Sequence, residues 1–238
     1  MRAEEFKNQN RYEKVGENNT MFTQMVTGYR NKFNWLRIKD RRFMTVSFKG
    51  EAACDCGGPM RDVISNVCDD VMSPVLPLLI PTANNIAKVE PEADCYKLNP
   101  SATEPFILKK YSFLGYFLGW SLRNMGGLGI DLPSAFWKRV CGGPNYIYSL
   151  EDLKSMDKFR YTTLKQIKES ADSLDKNEFN YAYDGTCFEA IFDGNDENIS
   201  LCDGGPKILL TKDNADDYVQ LYLKKYTELE NLQFNMIF

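Results

Sequence analysis

The chain contains no histidine. That absence removes Ser-His-Asp and Cys-His activation of a nucleophile from within these 238 residues, together with histidine metal sites. It also removes the usual acid–base switch near neutral pH. Any general base would have to be a carboxylate, lysine, tyrosine or cysteine. Long apolar runs are scarce too. The longest mainly apolar stretch, Tyr111 to Leu122, covers twelve residues and is broken by Ser112, Gly115, Gly119 and Ser121. A membrane helix needs about twenty, so no membrane partner is expected. No apolar leader follows the charged start Met1 to Glu5. Dense basic runs are missing as well, and the net charge is −4. Nucleic acid is therefore not an expected partner. Arg37 to Arg42, with four basic residues and one acid, reads as a solvated surface turn.

The cysteines number seven, an odd count in a chain of this size. Free thiols in a reducing compartment fit that pattern, which points to the cytoplasm. Cys54 and Cys56 form one C-x-C pair, but no second pair stands at a zinc spacing. No metal and no cofactor are expected.

What is present suffices for a core. Hydrophobic residues make up 43% of the chain and aromatics 13%, which excludes global disorder. The periodicities predict an α+β fold that is mainly helical, with small β elements. Met21, Phe22, Met25, Val26 and Tyr29 stand at helical spacing behind Thr20. Met44 to Phe48 alternates like a strand. Gly57-Gly58-Pro59 turns into a helix with the apolar stripe Val63, Ile64, Val67, Cys68 and Val71, leaving Asp70 on the wetter side. Leu78 to Ile80 is a short apolar stretch, Ala83 to Glu92 reads as a polar loop, and Cys95 to Leu98 as a strand. The firmest helix runs from about Lys110 to Asn124. Its Gly115 and Gly119, four apart, would let a neighbouring helix approach closely. A short helix follows over Ser134 to Val140.

The texture changes at Ser149, which caps Leu150 to Leu153 with Asp152 three residues on. Tyr161 to Ala171 reads as a helix. Phe179, Tyr181 and Tyr183 alternate like a strand, and Asp184 to Pro206 holds turns. Ile208 to Leu210 is short and apolar, and Asp213 to Leu232 is a capped helix.

Three features invite a chemical reading. Gly57-Gly58 precedes a helix, and Gly126-Gly127-Leu128-Gly129 follows one. Neither matches a phosphate-binding motif, so both read as turns. Tyr218, Tyr222, Tyr226 and Leu229 share one helix face. That face is either a core stripe or a partner surface, since tyrosine suits both. Burial of Tyr218 and Tyr222 would leave no docking surface there. Cys187, in Thr186-Cys187-Phe188, lies among acidic residues that disfavour the thiolate needed for attack.

Two segments carry a resemblance. Phe48-Lys49-Gly50-Glu51 is followed by Asp55 and then Cys56-Gly57-Gly58-Pro59-Met60-Arg61-Asp62. About fifty residues on come Tyr111-Ser112-Phe113-Leu114-Gly115-Tyr116-Phe117-Leu118-Gly119 and Asp131-Leu132-Pro133-Ser134-Ala135-Phe136-Trp137-Lys138-Arg139. In this order they resemble the larger, N-terminal lobe of the HECT ubiquitin ligases. Phe22-Thr23-Gln24-Met25 and Asn99-Pro100-Ser101-Ala102 look most like the giant HECT ligases with propeller-type repeats.

Residues 1–19 are polar and read as a tail, and the resemblance implies a large subdomain over 20–148 and a conjugating-enzyme-binding subdomain with a return helix over 149–238. It implies a ubiquitin-conjugating enzyme and ubiquitin as partners, with ubiquitin relayed by thioester exchange to lysines of an unspecified substrate. Tyr218 and Tyr222 fall on the two aromatic positions of the family's docking helix. Leu164, Phe179 and Tyr181 match the other side of that groove. Thr186-Cys187-Phe188 matches the wording around the family's nucleophile but stands in the wrong lobe, so the match is read as coincidence. The smaller, catalytic lobe is expected to be absent from these residues, and no ubiquitin thioester is expected on this chain. The competing expectation is a non-catalytic interaction or assembly module.

Overall fold

Apolar spacing and side-chain caps together define the elements of the computed structural model, which describes residues 19–28, 58–123, 127–193 and 197–238. The polar tail before Asn19, Tyr29, the Met44–Phe48 strand and the segment from Gly50 to Gly57, with Cys54 and Cys56, lie outside the described residues. In chain order the helices are α1 (Met21–Gly28), α2 (Gly58–Met72), α3 (Ala83–Ala87), α4 (Pro105–Arg123) and α5 (Ser134–Gly142). They continue as α6 (Leu150–Lys154), α7 (Lys158–Ser173), α8 (Lys176–Ala182), α9 (Ala215–Leu229) and α10 (Asn231–Ile237). Among the described residues four short strands accompany them: β1 (Leu79–Pro81), β2 (Tyr96–Leu98), β3 (Glu189–Ala190) and β4 (Ile199–Ser200). No described helix is long and apolar enough to cross a membrane.

The chain forms two compact units. One holds the described residues up to Ile80, then Ala102–Ile130 and Gln233–Phe238; the other holds Pro81–Ser101 and Asp131–Leu232. This division differs from a single boundary at Ser149. Residues 81–101 and 131–148 belong with 149–232 because buried side chains at Asn84, Lys97, Arg139 and Tyr148 bond to the later segment.

In the first unit, Phe22 of α1 meets Phe113 of α4 edge-to-face, with ring centroids 5.4 Å apart. Val63, Val67, Cys68 and Val71 of α2 are buried as their spacing predicted. Asp70 is buried as well, against expectation. Its carboxylate accepts the backbone amide of Phe22 at 3.1 Å, in the first turn of α1, where an acceptor and a negative charge are both favourable. The two glycines of α4 differ. A Cβ on Gly115 would overlap the Ile237 carbonyl, whereas one on Gly119 would meet nothing within 4 Å. Close backbone approach therefore explains Gly115 alone.

The second unit has its own core, built from α5 to α9 and the β3–β4 hairpin. The expected polar loop at Ala83 to Glu92 contains α3, capped by Thr82, whose hydroxyl accepts from the Asn85 amide at 3.1 Å. Asn84 is buried and fully used. Its amide group donates to the carbonyls of Pro91 and Lys154, each at 2.9 Å, and its oxygen accepts from the Lys158 amide at 2.7 Å. A residue with that many partners cannot vary freely.

Candidate functional site

Helix α9 begins behind a 3₁₀ turn, Lys212–Asn214, whose Thr211 and Asn214 cap one another. Asp216 and Asp217 occupy its first turn, where negative charge meets the helix dipole favourably. Tyr218, Tyr222 and Tyr226 follow at steps of four and point into the second unit's core. Phe188 packs edge-on against Tyr218 at 5.3 Å between centroids. Phe192 lies against Tyr222 at 4.9 Å and Tyr226 at 6.2 Å, and Tyr148 against Tyr226 at 6.2 Å. Burial pushes the phenols of Tyr218, Tyr222 and Tyr226 above their ordinary range.

The rings expected to meet a partner are thus interior. Tyr218 is 7% exposed and Tyr222 2%. Leu164 of α7 and Phe179 of α8 are buried in the same core. Of the five residues matched to the docking groove, Tyr181 is the exception at 87% exposed. The cause is local. Phe179, Tyr181 and Tyr183 do not form a strand. Asp175 caps α8 by accepting from the Asn177 and Glu178 amides, and Glu178 returns a bond to the Asp175 amide, a complete capping box. In a strand, residues 179 and 181 would face the same way; in a helix they diverge by roughly 200°. The Asp-x-x-Glu signature at Asp175 and Glu178 is the sequence signal that could have found this helix start. Phe159 of α7, outside the matched set, is 75% exposed. Ile191 and Leu209 are exposed as well.

Beneath the tyrosine stripe lies a buried charge cluster that sequence patterning did not show. Lys97 of β2 donates to the Tyr226 hydroxyl at 3.0 Å and lies 2.8 Å from Asp193 and 4.0 Å from Glu230. Arg139 of α5 approaches Glu230 at 3.7 Å, donates to the Thr227 carbonyl at 3.4 Å and bonds to Asn231. The Tyr148 hydroxyl donates to Glu230 at 3.3 Å. Burial acts to strip the Lys97 proton, but Glu230 and Asp193 outweigh it and hold the ammonium above its ordinary range. Burial pushes the Glu230 carboxyl up, and the flanking cations Lys97 and Arg139 oppose that.

Cys187 sits at an isolated bridge to Leu209, its thiol 3.8 Å from the Gly185 carbonyl. That partner is a carbonyl acceptor, not a cation. Among the described residues no group of histidine, cysteine, aspartate and glutamate side chains is arranged to hold a metal ion.

A model of the HECT-domain (ubiquitin-transferase) family matches residues 65–236. The mouse E3 ubiquitin-protein ligase HERC2 is 33% identical over 117 residues, covering 49% of this chain and 2% of that protein. The E3 ubiquitin-protein ligase TOM1 of Saccharomyces cerevisiae is 26% identical over 177 residues, covering 74% of this chain and 5% of that protein. The chain thus spans a small part of the length of these relatives.

Proposed function

The chain belongs to the HECT-domain (ubiquitin-transferase) family, and on that premise we propose that it is the part of a ubiquitin ligase that docks a ubiquitin-conjugating enzyme. The family match over residues 65–236 carries this reading. Thioester exchange between cysteines is nearly neutral in energy, so a ligase of this kind contributes mainly proximity between the charged enzyme and the accepting thiol. A docking unit needs rigid support and exposed apolar anchors, not a nucleophile. The second unit has both. In this reading the buried Tyr218, Tyr222, Leu164 and Phe179 are the rigid support, and the exposed rings of Tyr181 and Phe159 are the anchors. The substrate lysine and the transferring cysteine lie outside this role.

The test is a titration of the chain with recombinant ubiquitin-conjugating enzymes, followed by calorimetry. Tyr181→Ala or Phe159→Ala should weaken binding by about tenfold, as truncating an aromatic anchor does, without shifting the melting temperature. A chain that binds no conjugating enzyme would favour the other reading, an assembly module with no ubiquitin role.

A further inference from the structure

Four charged side chains meet under α9 in the second unit, and they do not share the same depth. The side chains of Lys97, Arg139 and Glu230 are each 5% exposed or less, whereas that of Asp193 is 32% exposed. Asp157 lies nearby, where it caps α7 by accepting the Arg160 amide at 2.9 Å, and its carboxylate adds negative charge beside Lys97 and Asp193. With Asp193 in place the four carry two positive and two negative charges. With Asp193 withdrawn, the buried Lys97 ammonium loses its nearest carboxylate, 2.8 Å away, and is left with Glu230 at 4.0 Å, which Arg139 shares at 3.7 Å, a poorly compensated buried charge. Such a charge is strongly unfavourable in a protein interior. Asp193 also follows directly on Phe192, which packs on Tyr222 and Tyr226, and on the exposed Ile191. A second tether joins the same segment to α7, where Arg160 donates to the Ile191 carbonyl at 3.3 Å.

We infer that Asp193 is a latch. Its carboxylate, paired with the buried Lys97 ammonium, fixes the Glu189–Asp193 segment against α9 and so sets the position of the apolar surface at Ile191. The pairing is a positioning device. Its consequence for binding rests on the docking function proposed above, but the latch itself does not.

The test separates position from stability. Lys97→Met and Asp193→Asn are made singly and together in the full 238-residue chain. Each single change unbalances the cluster and should lower the melting temperature by several degrees. The double change restores balance, leaving Arg139 against Glu230, and should recover most of that loss. Amide hydrogen exchange at residues 189–193 should nevertheless stay about tenfold faster than in the parent chain in both Asp193→Asn and the double variant, because the tether is gone. Exchange at the parent rate in either would overturn the latch. Asp193→Asn is a small change at a part-exposed position, so it decides the matter even if the double variant does not fold. A labelled recombinant ubiquitin-conjugating enzyme supplies the second readout, with affinity expected to fall about tenfold in both variants. If parent and variants bind equally well, the positioning of a docking surface is overturned. If the parent does not bind while exchange still quickens, the docking reading fails and the latch stands.

Discussion

Asp152 shows how much one side chain can hold. It is buried, and its carboxylate takes Lys138 at 2.6 Å, the Tyr146 hydroxyl at 2.7 Å, and the amide and hydroxyl of Ser149 at 2.9 and 2.7 Å. Burial acts to raise its pKa, but Lys138, Tyr146 and Ser149 outweigh it and hold the carboxyl below the usual range. Burial and the same carboxylate push Tyr146 up to about 12. The linkage has a definite sign. A depressed folded value gives stability that is present above the ordinary carboxylate value and is lost as pH falls through the folded one. Asp152→Asn should therefore cost about 1–3 kcal/mol near neutral pH. It should also flatten the acid limb of the stability curve, read by urea unfolding between about pH 7 and pH 3. At the same scale, Phe179→Ala should cost about 3–5 kcal/mol as a core cavity. Tyr181→Ala, two residues on, should stay within about 0.5 kcal/mol. Thermal unfolding of the pair checks that α8 faces the way described.

Among the elements, α4 contains a built-in comparison. Gly115→Ala would push a methyl into the Ile237 carbonyl, so the last turn of α10 must move. The expected cost is about 1–3 kcal/mol. Gly119→Ala meets open space and should stabilise the helix by about 0.5–1 kcal/mol. Denaturant unfolding of the two variants should move in opposite directions; equal and small effects would show that α10 does not approach α4 closely. Helices α6 and α4 were legible from sequence, because the Ser149–Asp152 cap of the one and the Phe113–Phe117 spacing of the other leave little alternative. The strand assigned at Phe179 to Tyr183 was not. Three aromatics at alternate positions satisfy a two-residue period over so short a span, and the deciding information lay upstream in the Asp175–Glu178 cap. Helix α3 was missed for a similar reason, since five residues are too few to show a period.

For the molecule as a whole, the expectation concerns chemistry. No histidine exists to activate a thiol, and Cys187 has a carbonyl beside it in place of a cation. Incubation with a charged ubiquitin-conjugating enzyme should give no reducible ubiquitin adduct on this chain. An adduct that disappears in Cys187→Ala would reverse that conclusion and make the chain catalytic by itself.

Sequence alone determined the family, the mainly helical class and most helix positions, because these rest on local spacing, caps and motif order. It also placed the tyrosines of α9 on one face, since helical geometry does that without help. Whether that face met a partner or a core was decided only by tertiary structure. Tyr218 and Tyr222 are closed in by Phe188 and Phe192, which come from a hairpin thirty residues upstream. The cluster of Lys97, Arg139, Asp193 and Glu230 was likewise invisible in the chain. Its members are spread over more than a hundred residues, and a charge gives no periodic sign that it will be buried. Only the packing brings opposite charges close enough to offset the loss of water.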